Sequence, residues 1–146
     1  MNQYPLIIEN VTKTFADGNH TIKIIDNLSF KAKKGEIAAI VGPSGSGKST
    51  FLSIAGALMT PDNGEVRVEG KNIVPYTDIN KANIRLNHIG YIFQTSNLVP
   101  YLKVDEQLHI VLKMAGKWNK ETKSYAESLL KTVGMEKHAK HYPHQL

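Results

Sequence analysis

The sequence predicts an α/β fold in which an α/β core follows an antiparallel β region and precedes a helical segment. Three observations indicate this order. Short strand-like runs fill residues 1–34, and the nearly all-apolar run Glu36–Val41 leads directly into a glycine-rich turn. Beyond about residue 100 the apolar spacing is helical only. We therefore expect a single domain with a β region at 1–34, a core at 35–99 and the start of a helical subdomain at 100–146.

The composition is that of a soluble globular protein. Of the 146 residues, 41% are hydrophobic and 21% are charged, which excludes a disordered chain. No apolar run approaches the roughly 20 residues needed to span a bilayer. The N-terminus lacks the basic and long apolar regions of a signal peptide. These features predict a cytoplasmic protein.

The net charge of +5 allows an anionic partner but does not favour nucleic acid. Arg67 and Arg85 are the only arginines, and the other basic residues are lysines spread along the chain. Specific readers of nucleic acid rely on arginine for bidentate contacts to bases. A lysine-rich solvated surface is therefore the favoured interpretation, and no nucleic-acid partner is expected.

Turn signals and periodicity divide the chain into further elements. The strand Leu6–Phe15 is followed by a turn at Asp17–Gly18, and Ile22–Ile25 and Leu28–Ala32 predict two more short strands. Asp78 is a plausible N-cap for the helix that it begins. The other predicted elements are the strands Glu36–Val41, Glu65–Glu69 and Ile89–Phe93 and the helices Lys48–Met59, Asp78–Leu86, Val104–Ala115 and Lys120–Val133.

A phosphate-binding loop is the most specific motif in the chain. Residues Gly42–Ser49 satisfy the pattern G-x-x-x-x-G-K-[ST] between a predicted buried strand and a predicted helix. Glycines let the backbone turn its N–H groups toward phosphate oxygens, and the helix start adds free N–H groups. Lys48 supplies a charge for the β- and γ-phosphates, and the Ser49 hydroxyl can bind Mg²⁺. The predicted nucleotide-binding residues of this segment are Gly42, Ser44, Gly45, Ser46, Gly47, Lys48, Ser49 and Thr50.

The loop alone does not choose among kinases, GTPases, motor ATPases and transport ATPases. A GTPase should carry the base-reading motif N-K-x-D, and the nearest match, Asn80–Asn83, lacks the aspartate. A small-molecule kinase usually surrounds the transferred phosphate with several arginines, whereas this chain has two. Both classes are therefore disfavoured.

Four stretches together resemble the nucleotide-binding domain of ABC transporters. They are GPSGSGKSTFLSIAGAL, TPDNGEV, IGYIFQTSNLVPYLKVDEQL and YPHQL, in this order. Within that family the chain is most similar to the group that serves MacB-, LolD- and FtsE-type systems. The stretches SNLVPYLKV and YPHQL also resemble the ATPase of Gram-positive haem-efflux transporters.

The resemblance implies roles for residues outside the phosphate loop. Phe15 stands where the family stacks an aromatic ring on adenine, although it can also be read as the last core aromatic of its strand. Gln94 stands at the family's Q-loop glutamine, which contacts Mg²⁺ or the attacking water. The segment Asn97–Leu108 corresponds to the region that docks on the membrane subunit.

The resemblance also implies a function for the parent protein. It would be the ATP-binding subunit of an ABC transporter, using ATP and Mg²⁺ to drive substrate export through a membrane permease, separate or fused. It would lie at the inner face of the membrane and pair head-to-tail with a second copy. The alternative is a soluble ABC-type ATPase of translation or DNA repair. That alternative is disfavoured because the stretch from Lys48 to Gln94 leaves no room for the large insertions common there.

Several family motifs have no counterpart in these residues. The signature motif begins with leucine, as L-S-G-G-Q, and the chain ends at Leu146. The only Asp-Glu pair, Asp105–Glu106, begins a predicted helix and does not follow a Walker-B strand. We therefore expect an N-terminal fragment that does not hydrolyse ATP alone and leaves the Glu36–Val41 strand with an open apolar edge. The histidines at 138, 141 and 144 are interpreted as surface residues and not as a metal site.

Overall fold

The protein forms two compact units in the computed structural model, which describes residues 3–146. The first unit is Met1–Gly90 and the second is Tyr91–Leu146. The first unit contains the elements β1 Leu6–Asp17, β2 His20–Ala32, α1 Lys48–Ala55, β3 Asn63–Val68, β4 Lys71–Asn72 and α2 Asp78–His88. The second unit contains α3 Val104–Met114, α4 Lys120–Thr132 and the short 3₁₀ helices Glu136–His138 and Pro143–Gln145.

The strands of the first unit form one antiparallel sheet in the order β2-β1-β3-β4. This confirms the predicted antiparallel β region. The two short strands expected before residue 33 are a single strand, β2, which pairs with β1 from Leu6↔Ala32 to Asp17↔His20. The predicted gap between the two strands falls at Asn27, where β2 is irregular. Asn27 has a φ of 49°, and its backbone N–H donates a hydrogen bond to Thr12 Oγ1.

Strand β3 approaches β1 at a second irregularity, where a glycine is required. The register of β1 against β3 shifts between Glu9 and Thr12. Opposite this shift, Gly64 has a φ of +91°, and a Cβ added to it would lie 2.5 Å from the carbonyl oxygens of Glu9 and Asn10. Any larger residue at position 64 would therefore push the two strands apart.

Helix α1 packs on the sheet and completes the core of the first unit. Its residues Phe51 and Ile54 are buried, and the Phe51 ring meets Phe30 edge-on with centroids 5.5 Å apart. The buried hydrophobic residues packed together here are Ile8, Val11, Ile25, Phe51, Ile54, Ala57, Val66, Val68, Ile73 and Ile84. The antiparallel sheet therefore positions α1, and with it the loop that precedes this helix.

Helix α2 is fixed to the segment that follows α1. Arg85 donates from Nη1 to the carbonyl oxygen of Ala57 over 2.7 Å, and the buried Lys81 donates from Nζ to Thr60 Oγ1. The predicted N-cap, Asp78, is wrong by one residue. Thr77 is the cap, because its Oγ1 accepts the Asn80 N–H, and Asp78 lies in the first helical turn.

The prediction of two buried strands, Glu36–Val41 and Ile89–Phe93, is wrong. Neither run is a strand, and Ile37, Val41 and Ile92 are 98%, 87% and 97% exposed. A buried parallel strand requires hydrogen-bonded neighbours on both sides. Within residues 3–146 the sheet offers no strand that pairs with either run. Apolar sequence alone therefore does not make these runs strands.

The second unit is helical, as predicted. The side chain of Asn119 caps α4 by accepting the Thr122 N–H over 2.9 Å, and His109 of α3 stacks on Trp118 with ring centroids 3.9 Å apart. The segment that follows α4 supplies partners for the free N–H groups at the start of α3, because Val104 N–H donates to His141 and Asp105 N–H to Ala139. None of the helices in the described part of the chain is long and apolar enough to cross a membrane.

One carboxylate joins the turn before β3 to the far end of β1. Asp62 accepts from Lys13 Nζ over 2.6 Å and from both the backbone N–H and the Oγ1 of Thr14 over 2.7 Å. These donors, Lys13 foremost, lower the pKa of Asp62 from its ordinary value of 3.8 to about 2. The contact therefore stabilises the fold only while the carboxylate is ionised.

The stability that Asp62 contributes should depend on pH. Because the folded pKa lies below the unfolded value, the contribution is present above pH 3.8 and disappears as the pH falls toward about 2. We expect Asp62→Asn to lower the Tm at neutral pH by about 2–4 °C, with the gap from the unsubstituted chain closing across that window. Thermal melts followed by circular dichroism measure this.

The control for this measurement is Asp26→Asn. Asp26 forms an ion pair with Lys23 in which both side chains are more than half exposed, so its loss should leave the Tm almost unchanged. A Tm gap for Asp62→Asn that stayed constant from neutral pH down to pH 2 would contradict the assigned role of the charge.

Candidate functional site

The glycine-rich loop turns into helix α1 at a position where only glycine fits. Gly47 is the N-cap residue of α1 and has a φ of +84°. A Cβ added there would lie 2.9 Å from the carbonyl oxygen of Ile24 in β2. The loop therefore lies directly against β2, and the first N–H groups of α1, as at any helix start, have no partner within the helix.

The side chain of Lys48 folds back over the glycine-rich loop. Its Nζ donates to the carbonyl oxygens of Gly42 over 2.9 Å and Pro43 over 2.6 Å, and lies 3.4 Å from Ser46 Oγ. None of the ion pairs found within residues 3–146 includes Lys48. The ammonium group therefore contacts dipoles only, and a phosphate group would be a stronger partner for it.

A groove of about 530 Å³ runs along the loop and reaches the end of β1. Phe15 forms part of its wall and is 38% exposed, so this ring lies outside the buried core. The other residues that line the groove are Ile24, Ser44, Gly45, Gly47, Lys48, Ser49 and Thr50. The structure thus brings Phe15 and six of the eight predicted loop residues to one groove.

The remaining loop residues, Gly42 and Ser46, line a second and more apolar groove of about 590 Å³. This groove lies between β2, the start of α1 and the exposed run that precedes the loop, and includes Ile40 and Val41. Lys48 and Gly47 line both grooves, so the loop separates them. Phe15, Ser44, Ser49 and Thr50 line the first groove, whereas Ser46 and the apolar run before the loop line the second.

Two residues beside Phe15 were not predicted from the sequence. Lys13 Nζ lies 5.7 Å from the centroid of the Phe15 ring, within cation–π range, and is held there by Asp62. The sequence gives Asp62 only as part of the turn-forming cluster before β3. Its bond to Lys13 spans 49 positions of the chain, and no local pattern indicates such a contact.

Gln94 belongs to the second unit, where it occupies an exposed bend. In the segment Asn97–Leu108, the loop after this bend is tied to α3 by one side chain. The amide of Gln107 donates to the carbonyl oxygens of Val99 over 2.7 Å and Leu102 over 2.9 Å, and accepts the Val99 N–H. Tyr101, between these anchors, is exposed. The loop thus presents an apolar side chain from a fixed backbone.

The Asp105–Glu106 pair lies in the first turn of α3, as predicted. Asp105 forms an ion pair with Lys140, and Glu106 accepts the Lys103 N–H over 2.8 Å. Both carboxylates therefore stabilise the start of α3. Nδ1 of His138 lies 3.0 Å from Nδ1 of His141. In the described range 3–146, no group of three or more His, Cys, Asp or Glu side chains is placed to hold a metal ion.

Comparison with known proteins gives one consistent result. The family model described as ABC transporter matches residues 25–146. The chain is 44% identical over 141 residues to the putative hemin import ATP-binding protein HrtA of Staphylococcus haemolyticus, and 40% identical over 143 residues to that of Staphylococcus aureus strain Newman. Each alignment covers 97% of this chain and 63% of the relative.

Solved structures agree with the sequence matches. The ATP-binding cassette MJ0796, in a dimeric post-hydrolysis state bound to ADP and Pi, superposes with a TM-score of 0.87 at 36% identity. The match covers 97% of this chain and 62% of that one. A second dimeric structure of MJ0796, described as a bacterial ABC transporter cassette, gives the same values. The chain spans somewhat less than two thirds of these relatives, and it belongs to the ABC transporter family.

Proposed function

We propose that this chain is part of the ATP-binding subunit of an ABC transporter and that it holds Mg-ATP in the groove between Phe15 and the phosphate loop. The observation that carries the proposal is the arrangement at Lys48. The Lys48 ammonium, which forms no ion pair within residues 3–146, lies over a turn of glycines in a groove that an exposed aromatic ring also lines. This arrangement suits a ligand with an aromatic base at one end and several negative charges at the other.

The loop residues hold the phosphates in this proposal. The Lys48 ammonium exchanges the carbonyl oxygens of Gly42 and Pro43 for phosphate oxygens, which form stronger, charge-assisted bonds. The N–H groups of residues 47–50, which precede the first helical bond from Phe51 to Gly47, supply further donors at the start of α1, where the helix dipole favours negative charge. The Phe15 ring stacks on the base, a contact that gives affinity with little discrimination among bases.

Magnesium is proposed as the companion of the nucleotide. The Ser49 hydroxyl is an exposed oxygen in the first turn of α1, at the wall of the groove, and Mg²⁺ prefers oxygen ligands from protein and phosphate. The ion neutralises charge on the phosphates when bound. The first unit contributes the Ser49 oxygen. Gln94 lies in the second unit, and its role as a further Mg²⁺ ligand stays a prediction from the family resemblance.

Membership of the family supports two proposed partners. We place a membrane permease, separate or fused, on the segment Asn97–Leu108, because three hydrogen bonds of the Gln107 amide join its loop to α3 and Tyr101 is exposed there. Docking there would set the protein at the inner face of the membrane. The second partner is another copy in head-to-tail arrangement, an expectation supported by the dimeric cassettes to which the chain is similar.

The alternative is a soluble ABC-type ATPase that acts in translation or DNA repair. The curated relatives at 40–44% identity are named as hemin import ATP-binding proteins. Those names describe transport, and they favour the first proposal. Co-purification with a permease would distinguish the two, since a soluble ATPase has no membrane subunit to retain.

Replacement of Lys48 tests nucleotide binding. Lys48→Ala removes the charge-assisted bonds to the phosphates, and we expect a loss of roughly 1.5–3 kcal/mol, or one to two decades in Mg-ATP affinity. Titration calorimetry measures the affinity. Lys71→Ala, an exposed lysine of β4, is the matched control and should bind as the unsubstituted chain does. Equal affinities for a folded Lys48→Ala and the control would exclude the proposed site.

Hydrolysis should require sequence beyond these residues. The 146 residues contain neither a signature motif nor a Walker-B strand, and charge stabilisation supplies most of the rate enhancement in phosphoryl transfer. We expect the chain to release phosphate at the background rate and a chain extended through those motifs to be faster by several orders of magnitude. Light scattering on both reports whether dimerisation accompanies activity. Equal phosphate release from the two would show that hydrolysis needs only residues within 1–146.

A further inference from the structure

We propose that Asp62 is a positioning residue for the Phe15 ring, which it aligns through Lys13 and Thr14. This inference rests on the proposed role of Phe15 as the ring that stacks on the nucleotide base. Asp62 lies in the turn before β3 and lines neither of the grooves beside the phosphate loop. Its effect on the nucleotide is therefore indirect.

The end of β1 lacks a neighbour on one side. The pairing of β1 with β3 ends at Thr12↔Asn63, whereas β1 continues to Asp17. Within the sheet, residues 13–17 thus pair with β2 alone, and a two-stranded ribbon is only marginally stable in water. Phe15 lies in this ribbon, paired with Ile22. The orientation of the Phe15 ring therefore depends on the contacts that the ribbon makes on the side where β3 has ended.

Asp62 occupies that side. Its N–H donates to the Thr12 carbonyl over 2.9 Å, which continues the β3 edge by one bond. Its carboxylate accepts hydrogen bonds from the backbone N–H and Oγ1 of Thr14 and from the Nζ of Lys13. The two residues directly before Phe15 are thereby held to the body of the sheet by three charge-assisted bonds.

Lys13 extends this hold to the ring itself. The bond to Asp62 keeps Lys13 Nζ 5.7 Å from the Phe15 centroid, so the ammonium lies over one face of the ring. The ring also lines the groove of the phosphate loop. A cation fixed over one face leaves the opposite face for a base and restricts the rotamers of Phe15. The position of the Phe15 ring therefore depends on the ion pair between Asp62 and Lys13.

A double-mutant cycle tests whether Asp62 acts through Phe15. The variants are Phe15→Ala, Asp62→Asn and the two combined, and the readout is the Kd of Mg-ATP by calorimetry on folded protein at neutral pH. We expect Phe15→Ala to weaken binding by about 5- to 100-fold. We expect Asp62→Asn to weaken it by about three- to tenfold when Phe15 is present and not at all when Phe15 is absent.

Two further variants separate positioning from general stability. Lys13→Met removes the ammonium but keeps the bonds between Asp62 and Thr14, and it should show the same dependence on Phe15. Glu9→Gln removes a different ion pair of β1, the one with Lys31 at 3.0 Å, and should leave the Kd unchanged in both backgrounds. An equal loss from Asp62→Asn with and without Phe15 would overturn the inference.

The remaining outcomes are distinguishable. If Phe15→Ala weakens binding and Asp62→Asn does not, the positioning role is wrong and the stacking role stands. If Phe15→Ala leaves the Kd unchanged, the stacking role is wrong and the positioning role falls with it. Binding that also survives Lys48→Ala would locate the nucleotide away from this groove altogether.

Discussion

The burial of Phe51 and Ile54 against the antiparallel sheet is the contact on which the candidate site depends. Both side chains belong to α1, which begins at Lys48, so the core fixes the helix directly behind the phosphate loop. On the other side of the loop, the run Glu36–Val41 is exposed and pairs with no strand of the sheet. The loop is therefore held from its C-terminal side. Removal of the Phe51 ring would release the loop as well as open the core, at a cost of about 3–5 kcal/mol for such a truncation.

The same sheet brings the two ends of the proposed nucleotide site together. Strand β2 contacts the loop at Ile24, where Gly47 allows a close approach, and pairs with the end of β1 that carries Phe15. The ring proposed to stack on the base and the loop proposed to bind the phosphates thus share one support. Asp62 links this support to the β3 side through its bonds to Lys13 and Thr14, and these donors lower the pKa of its carboxyl. The proposed nucleotide site is formed by an antiparallel hairpin and one short helix.

The sequence predicted the local elements well, because their causes are local. The helical spacing at Lys120–Val133 and the glycines of the phosphate loop require no distant partner to be recognised. The runs Glu36–Val41 and Ile89–Phe93 were predicted wrongly because a strand is defined by its neighbours, and their apolar composition says nothing of whether neighbours are present. Asp62 was missed as a partner of Phe15 for a related reason. Its contacts join segments about fifty positions apart, and a turn signal was the only local information it carried.

Hydrogen exchange tests most directly whether the phosphate loop is held by its helix. In the native state we expect slow exchange for the α1 amides of Phe51–Ala55 and for the part of β1 that pairs with both β2 and β3, since these lie in the core of the first unit. We expect exchange at nearly the rate of an unstructured peptide for the amides of Ile37–Val41. Protection of Ile37–Val41 equal to that of α1 would contradict this expectation, because it would show that the run before the loop is paired and supports the loop from that side.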